Sequence, residues 1–201
     1  MSAYHFTPPA DLATKEQNFA TWTGAFSERE ISEIKKIGDS FIKLDGQSGS
    51  ITSEGKLDEK MRRSRVAWLT ENDKTRWIYD RMAFVARQLN GQFFEFDIWG
   101  FVEDFQYTVY DSEGSHYGWH MDKGNLNTSP RKLSLVLQLS DPSEYEGGDL
   151  QFLISGEDPT VAEKKQGLIY AFASWVLHRV TPVTKGTRKS LVVWTAGPKF
   201  K

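Results

Sequence analysis

The residues best suited to chemistry lie in the stretch Gly-Trp-His-Met-Asp, in which Asp122 follows His120 by two positions. Side chains two positions apart point to the same face of a β-strand, so both could bind one metal ion. The pattern alone is weak, because four histidines produce it by chance in about one of two or three proteins. His178, on a later predicted strand, would complete the two-histidine, one-carboxylate set of a non-haem Fe(II) site. The alternative for His178 is a core histidine.

Two further residues indicate what such a metal site would bind. Arg188 lies ten residues after His178, beyond a Thr-Lys-Gly turn, where its guanidinium could hold a carboxylate through two hydrogen bonds. Tyr110 lies ten residues before His120, and its hydroxyl could donate to the same carboxylate. Together they predict a dicarboxylate whose near end chelates the metal, which fits 2-oxoglutarate.

The order of these residues resembles that of a known enzyme family. The ordered set is Tyr110, Tyr117-x-x-His120-x-Asp122, the sequence Glu-Gly-Gly-Asp-Leu, His178, Arg188 and Trp194. It is similar to the Fe(II)- and 2-oxoglutarate-dependent dioxygenases of the prolyl 4-hydroxylase family, and especially to bacterial and phage PKHD-type members. The similarity covers about half of the chain, from Asp104 to Gly197. A second match, Arg62 to Leu69, resembles the Arg-x-Ser-x-x-Ala-Trp-Leu segment that precedes the barrel in prolyl 4-hydroxylases.

The resemblance implies a fold, a metal, a cosubstrate and a set of site residues. The fold is a β-rich α+β double-stranded β-helix, or jelly roll, with flanking N-terminal helices. The implied catalytic and metal residues are His120, Asp122 and His178. The residues implied for 2-oxoglutarate are Tyr110, Arg188 and Trp194, and Gln138 joins them if its strand alternates so that its side chain faces the interior. The residues implied for the substrate are Arg62, Arg65, Trp68 and Tyr117, and the alternative for Tyr117 is a buried aromatic residue of its strand.

The identity of residue 188 bears on the subfamily. Many collagen-type and plant-type prolyl 4-hydroxylases carry Lys at this position, whereas hypoxia-sensing and PKHD-type relatives carry Arg, as this chain does. The cosubstrate prediction is unaffected by this difference, but the substrate is less closely defined. His116 and His5 are interpreted as residues that do not bind the metal, and Gly147-Gly148 is interpreted as a turn.

The implied function is hydroxylation of a prolyl residue in a peptide or protein. The reaction would use Fe(II) as the cofactor and ascorbate as a reductant, and it would consume 2-oxoglutarate and O2. The products from the cosubstrate are succinate and CO2. One alternative is the same chemistry on a free amino acid or another small molecule. A more distant alternative is a jelly-roll module that binds a metal or ligand without redox chemistry, although cupins of that kind more often use three histidines and a glutamate.

Composition limits the other classes of function. The 201 residues carry a net charge of −2, so no global basic field predicts binding to nucleic acid or an anionic membrane. The absence of cysteine excludes disulfides and thiolate ligands. The sequence shows no signal peptide and no transmembrane segment, so a cytoplasmic location is expected. One domain is expected, with helical support over about 1–91 and a jelly-roll core over about 92–201.

Hydrophobic spacing predicts the elements that must position these residues. A helix is expected from Ser27 to Leu44, opened by a capping box with Glu30, and a second from Asn72 to Leu89, closed by Asn90-Gly91. The glycine-rich loop from Asp45 to Lys56 is interpreted as a lid over the site. Eight strands are expected, at Phe93 to Ile98, Asp104 to Asp111, Tyr117 to Asp122, Lys132 to Ser140, Leu150 to Ile154, Gly167 to Ala173, Leu177 to Val183 and Ser190 to Thr195.

Overall fold

The computed structural model describes residues 18–45, 47–48, 50–51, 57–111, 114–154 and 156–199. The predicted lid from Asp45 to Lys56 lies mostly outside the described residues, and His5 lies wholly outside them. Two α-helices occur in the described part, α1 (Glu28–Asp45) and α2 (Arg76–Leu89), with a π-helix at Asn90–Phe94 and 3-10 helices at Leu126–Thr128 and Pro142–Glu144. None of these helices is both long and apolar enough to cross a lipid bilayer.

The strands of the described residues are short. In chain order they are β1 (Phe19–Trp22), β2 (Gln47–Ser48), β3 (Ser50–Ile51), β4 (Leu57–Asp58), β5 (Arg62–Arg63), β6 (Arg65–Leu69), β7 (Gly100–Phe101), β8 (Phe105–Tyr110), β9 (His116–His120), β10 (Arg131–Gln138), β11 (Tyr145–Gly147), β12 (Leu150–Leu153), β13 (Thr160–Val161), β14 (Ile169–Ala173), β15 (Leu177–Val180), β16 (Val183–Gly186) and β17 (Arg188–Ala196).

Two antiparallel sheets enclose the site. The major sheet runs β1-β14-β10-β17-β8-β6-β2, with β7 paired to β17. The minor sheet runs β13-β12-β15-β9-β5, and two small ladders join β11 to β16 and β3 to β4. The predicted jelly roll is therefore confirmed. The strands β1, β5 and β6 come from before residue 91 and are part of the two sheets, so residue 91 does not divide the sheets from their helical support.

Alternation along the major sheet separates a structural face from a functional one. On β8, Phe105, Tyr107 and Val109 pack into the apolar cluster that includes the buried faces of α1 and α2. The intervening Gln106, Thr108 and Tyr110 point the other way, and Gln106 and Tyr110 line the cavity between the sheets. One face of each strand thus holds the helices, which leaves the other face free to carry polar side chains.

The first helix begins as its sequence predicts. The backbone N–H of Ser27 donates to Glu30 Oε2 at 2.8 Å, and the Glu30 N–H donates to Ser27 Oγ at 3.3 Å. This reciprocal pair is the predicted capping box, and it satisfies two N–H groups that the first turn leaves unpaired. Ile31 and Ile34 are buried against the sheet.

The second helix ends at Leu89, as predicted, but it begins four residues later than predicted. The helix begins at Arg76, because residues 72–75 form a turn in which the Asn72 N–H donates to Thr75 Oγ1 at 2.9 Å. Asn90-Gly91 does not end the helical path, because the chain continues as the π-helix Asn90–Phe94, and the next residue, Glu95, has a φ of 52°. Asn90 stabilises this exit, since its amide donates to Phe96 O and accepts from Phe96 N.

The prediction of a strand from Phe93 to Ile98 was also wrong. These residues pair with no strand in the described part of the chain, and Phe93, Phe94 and Phe96 instead pack against the helix-side cluster. Aromatic residues favour strands because they suit a half-buried surface, and here they cover such a surface from the π-helix and the residues that follow it. The strand predicted from Leu177 to Val183 is divided in two, and Pro182, which lacks an N–H, lies between the parts.

Candidate metal and 2-oxoglutarate site

The two histidines of the predicted metal set lie on neighbouring strands of the minor sheet. His120 ends β9 and stands directly opposite His178 of β15 in the register of the antiparallel pair. Asp122 follows two residues after β9 ends, and its Oδ1 lies 3.6 Å from His120 Nε2. Its Oδ2 lies 3.6 Å from His178 Nε2. One ligand atom from each residue lies within 4.8 Å of the others, which fits a single ion.

Both imidazole rings are oriented by main-chain carbonyl groups. His120 Nδ1 lies 2.8 Å from Gly118 O, and His178 Nδ1 lies 2.9 Å from Val176 O. A hydrogen bond from Nδ1–H to a carbonyl places the proton on Nδ1 and leaves Nε2 with its lone pair. Both Nε2 atoms point toward Asp122, so the rings present the tautomer that a metal ligand requires.

The charges of the three groups suit a cation. Burial of the Asp122 carboxyl raises its pKa, but His178, His120 and the Ser134 hydroxyl outweigh burial and hold the pKa well below its usual range. Burial lowers the pKa of His178 below its ordinary value, although Asp122 acts in the opposite direction. Both shifts favour the forms that bind a metal, an ionised Asp122 carboxylate and a neutral His178 imidazole, and a two-histidine, one-carboxylate set is typical of non-haem Fe(II).

Arg188 is a buried cation without an acidic partner among the described residues. It is 1% exposed, and its Nε atom has no hydrogen-bond partner. Its Nη2 donates to Gln138 Oε1 at 3.1 Å and its Nη1 to Ser190 Oγ at 3.4 Å, and both acceptors are neutral. A buried guanidinium without a carboxylate is costly unless a ligand supplies the missing charge. The environment of Arg188 therefore fits the far carboxylate of 2-oxoglutarate.

The other residues predicted for 2-oxoglutarate surround this arginine. Tyr110 is directly opposite Arg188 in the β8–β17 register, and the Arg188 guanidinium lies 5.3 Å from its ring centre. Trp194 lies on the same face of β17, six residues on, and lines the cavity. Gln138 is buried and binds Arg188 but is not part of the cavity lining, so the structure places it behind the arginine.

Three of the four predicted substrate residues meet in one cavity of about 480 Å³. Arg62, Trp68 and Tyr117 line it together with the three candidate ligands and Arg188. The Tyr117 ring stacks on His120 with centres 3.5 Å apart, and the Arg62 guanidinium lies 4.5 Å from the Tyr117 ring centre. Trp68 is 42% exposed, so it lies at the opening of the cavity.

Arg65 does not join them. Val66 and Trp68 of β6 line the cavity, and alternation sends Arg65 to the opposite face, where it forms an ion pair with Asp111. The prediction that Arg65 contacts the substrate is therefore not supported by its position. The position of His116 agrees with its interpretation as a residue that does not bind the metal. Both of its ring nitrogens lie within 2.9 Å of main-chain oxygens, Gly114 O and Lys60 O.

Several residues of the site were not singled out by the sequence. Ser134 binds the Asp122 carboxylate, and Arg131 donates to the Asp122 carbonyl at 3.1 Å. Gly148, interpreted only as part of a turn, packs on the Arg188 side chain, and a Cβ there would lie 3.1 Å from Arg188 Cδ. The signal for Ser134 was present, because serine is unexpected in the interior-facing series of the apolar strand β10.

Comparison with known proteins finds similarity to the family that the sequence motifs resemble. Residues 105–196 match the model of the 2OG-Fe(II) oxygenase superfamily. A PKHD-type hydroxylase of Prochlorococcus marinus is 42% identical over 83 residues, which are 41% of this chain and 37% of the relative. A PKHD-type hydroxylase of Idiomarina loihiensis is 41% identical, again over 37% of its length. The match thus spans little more than a third of these relatives.

Solved structures share the fold over most of the chain. A prolyl 4-hydroxylase of Pseudomonas putida superposes with a TM-score of 0.72 at 18% identity, covering 94% of this chain and 96% of the other. A prolyl hydroxylase of Trichoplax adhaerens, solved with a hypoxia inducible factor peptide fragment, gives 0.74 at 15% identity, covering 89% and 83%. Over residues 105–196 the chain is similar in sequence to the 2OG-Fe(II) oxygenase superfamily and to PKHD-type hydroxylases, and over most of its length it shares the fold of prolyl hydroxylases, in line with the resemblance seen in the sequence.

Proposed function

We propose that this protein is an Fe(II)- and 2-oxoglutarate-dependent dioxygenase that hydroxylates a prolyl residue in a peptide or protein and releases succinate and CO2. The single observation that carries the proposal is one cavity that holds both a two-histidine, one-carboxylate cluster and the buried Arg188, which has no acidic partner among the described residues. The cluster suits Fe(II), and the arginine suits a dicarboxylate cosubstrate. Bound Fe(II) with 2-oxoglutarate supplies the oxidising chemistry.

The protein's own part is to bind and orient the reactants. Arg188 and Tyr110 hold the far carboxylate of 2-oxoglutarate, and Gln138 keeps the guanidinium in place through the bond to Nη2. The near end of the cosubstrate then lies toward His120, Asp122 and His178. The apolar side chains of Val136, Val180 and Val192 line the same cavity, and they limit the access of water to the reacting groups.

Arg62 and Trp68, which line the same cavity, are assigned to the substrate. Arg62 is 7% exposed and donates to Ser64 Oγ at 2.8 Å, but its remaining acceptors, Gln106 and Thr108, lie at 3.4 Å. A guanidinium with one good bond and two long ones has donors left for a peptide carbonyl. Trp68 offers an exposed ring at the opening, where a proline ring or another apolar group can pack.

The peptide assignment is supported by the kind of neighbour that the fold has. The Trichoplax adhaerens prolyl hydroxylase with a TM-score of 0.74 was solved with a peptide fragment bound, and the cavity of this chain opens at a half-exposed tryptophan. The same chemistry on a free amino acid is the alternative outcome of the test. An α-ketoglutarate-dependent epimerase from nogalamycin biosynthesis shares the fold at a TM-score of 0.69, so the fold alone does not select the substrate.

The experiment measures succinate formation with Fe(II), 2-oxoglutarate and ascorbate. Peptides that contain proline are compared with the same peptides carrying alanine in place of proline, and with free amino acids. Stimulation by the proline peptides alone supports the proposal, and stimulation only by free amino acids favours the alternative. No succinate under any condition, from a protein that is folded, contradicts the proposed oxygenase.

Matched tryptophan variants test the substrate side of the cavity. Trp68→Ala is expected to weaken peptide-stimulated turnover and to leave peptide-independent consumption of 2-oxoglutarate nearly unchanged. Trp99 is 68% exposed and is not part of the cavity lining, so Trp99→Ala is the control for loss of an exposed indole. Equal losses in both variants, or in both activities of Trp68→Ala, would count against a substrate role for Trp68.

A further inference from the structure

Asp122 occupies an unusual place for a residue that must hold a metal precisely. The strand β9 ends at His120, and Asp122 lies beyond it, outside the ladder that positions both histidines. It is nevertheless 8% exposed, with its carboxylate aimed between the two imidazoles. The β-ladder does not fix this side chain, so other contacts must do so.

The carboxylate is held by a pair of buried serines. Ser134 Oγ donates to Asp122 Oδ2 at 2.7 Å, and Ser134 Oγ lies 3.0 Å from Ser174 Oγ. Both serines are 0% exposed. A serine hydroxyl has one proton, so when Ser134 donates to the carboxylate, Ser174 must donate to Ser134. The result is a directed chain of two hydroxyl groups that ends on one oxygen of Asp122.

The main chain around Asp122 is held from the same side. Arg131 Nη1 donates to the Asp122 carbonyl at 3.1 Å, and Arg131 is itself fixed by Glu103, which accepts from its Nε at 2.7 Å. The N–H of the next residue, Lys123, donates to Ser174 O at 2.8 Å. Backbone and side chain are therefore fixed by β10 and by the turn that follows β14, in the opposite sheet.

We propose that Ser134 is a positioning residue that makes Asp122 a one-oxygen metal ligand, with Ser174 orienting the Ser134 hydroxyl. The bond from Ser134 engages Oδ2 and leaves Oδ1 for the ion. A carboxylate that bound through both oxygens would take a coordination position that 2-oxoglutarate or O2 needs, since the two-histidine, one-carboxylate set works by leaving three positions open. The need for open coordination positions rests on the proposed function, whereas the effect of Ser134 on metal binding does not.

The experiment has two readouts. The first is the affinity for Co(II) alone, measured by titration of the folded protein. Ser134→Ala is expected to weaken Co(II) binding by about 10- to 100-fold, the range usual for loss of a group that orients a metal ligand. Ser174→Ala should weaken it less, because Ser134 can still donate to Asp122. Ser140→Ala is the control, because Ser140 is a buried serine close to the end of the same strand whose hydroxyl donates to Thr187 O instead.

The second readout is the visible charge-transfer band that Fe(II) and 2-oxoglutarate give together under anaerobic conditions. At saturating Fe(II), Ser134→Ala is expected to shift or weaken this band, because the freed Oδ2 competes for a coordination position. A role in stability alone would not move it. Ser140→Ala should keep the wild-type band.

The outcomes separate the two proposals. Wild-type Co(II) affinity and an unchanged band in folded Ser134→Ala would overturn the positioning role. If Ser134→Ala does not fold, Ser174→Ala decides, and wild-type affinity and band there would overturn the proposed relay. If Co(II) binding behaves as expected but wild-type protein with Fe(II) and 2-oxoglutarate shows no band, the proposed function fails while the positioning of Asp122 stands.

Discussion

Tyr110 and Arg188 face each other directly across the β8–β17 pair, and the guanidinium lies 5.3 Å from the tyrosine ring centre. The two residues are 78 positions apart in the chain, and antiparallel pairing alone makes them neighbours. This relationship places a cation in the cavity that the two histidines also line, and no carboxylate among the described residues forms an ion pair with it.

Arg188→Met should raise the apparent KM for 2-oxoglutarate by about 10- to 100-fold, because charge-assisted hydrogen bonds contribute about 1.5–3 kcal/mol. It should also reduce the rise in melting temperature that we expect 2-oxoglutarate to cause in the wild type. Lys189→Met is the control, because the neighbouring Lys189 pairs with Asp39 outside the cavity. An unchanged KM in Arg188→Met would mean that another residue, such as Arg62, holds the far carboxylate.

Gly148→Ala should act on the same carboxylate without touching the metal. Gly148 has φ +60°, and an added Cβ would lie 2.9 Å from Val183 Cγ2 and 3.1 Å from Arg188 Cδ. We expect a raised KM for 2-oxoglutarate and a wild-type affinity for Co(II). Gly156→Ala is the control, since Gly156 also has a positive φ, +77°, but has nothing within 4 Å of an added Cβ. If both variants shift KM alike, backbone strain rather than displacement of Arg188 is the cause.

Asp122→Ala should reduce the affinity for Co(II) by more than about 100-fold, because a ligand is removed rather than a group that orients one. Turnover of 2-oxoglutarate should fall to background. Asp111→Ala removes a carboxylate that pairs with Arg65 outside the cavity, and it should keep both properties. Metal-dependent activity near the wild-type level in Asp122→Ala would remove Asp122 from the metal site.

The stability of the fold should decrease at alkaline pH, in part through Tyr79. Burial raises the pKa of Tyr79 to about 12, with Asp104 adding to the shift, and the hydroxyl donates to Leu69 O at 2.7 Å. A raised pKa means that the folded state retains the proton. The contribution is therefore complete below the unfolded pKa of about 10 and is lost as the pH rises toward about 12. Urea unfolding from pH ~9 to ~12 should show a smaller loss for Tyr79→Phe than for the wild type. Parallel curves would contradict the assignment.

The features that were predicted correctly depend on interactions between residues close together in the chain. The capping box of Ser27 and Glu30 opens α1, because its hydrogen bonds join residues three positions apart. The alternation of β8 and β17 placed Tyr110, Arg188 and Trp194 on one face, because side chains of a strand repeat every two residues. The same periodicity excludes Arg65 from the cavity, although its neighbours in the Arg-x-Ser-x-x-Ala-Trp-Leu segment line it.

The errors came from segments whose conformation depends on distant partners. Phe93, Phe94 and Phe96 have the composition of a strand, but the helix-side core takes them as packing residues after a π-helix. The strands β1, β5 and β6 were not predicted, because each is short and is stabilised by pairing with β14, β9 and β8. Such pairings are not encoded in a short stretch of sequence.

The sequence by itself determined which side chains are the candidates for binding iron and a dicarboxylate, because the ordered set from Tyr110 to Trp194 is specific and each residue type has its own chemistry. Only the tertiary structure decided how they are held. Ser134 reaches Asp122 from 12 positions away in the chain, Ser174 reaches Ser134 from 40 positions away, and Gly148 gives room to Arg188 across a turn. These contacts arise when two sheets close on each other, and a hydroxyl or a missing Cβ gains its role only from the atoms that this closure brings beside it.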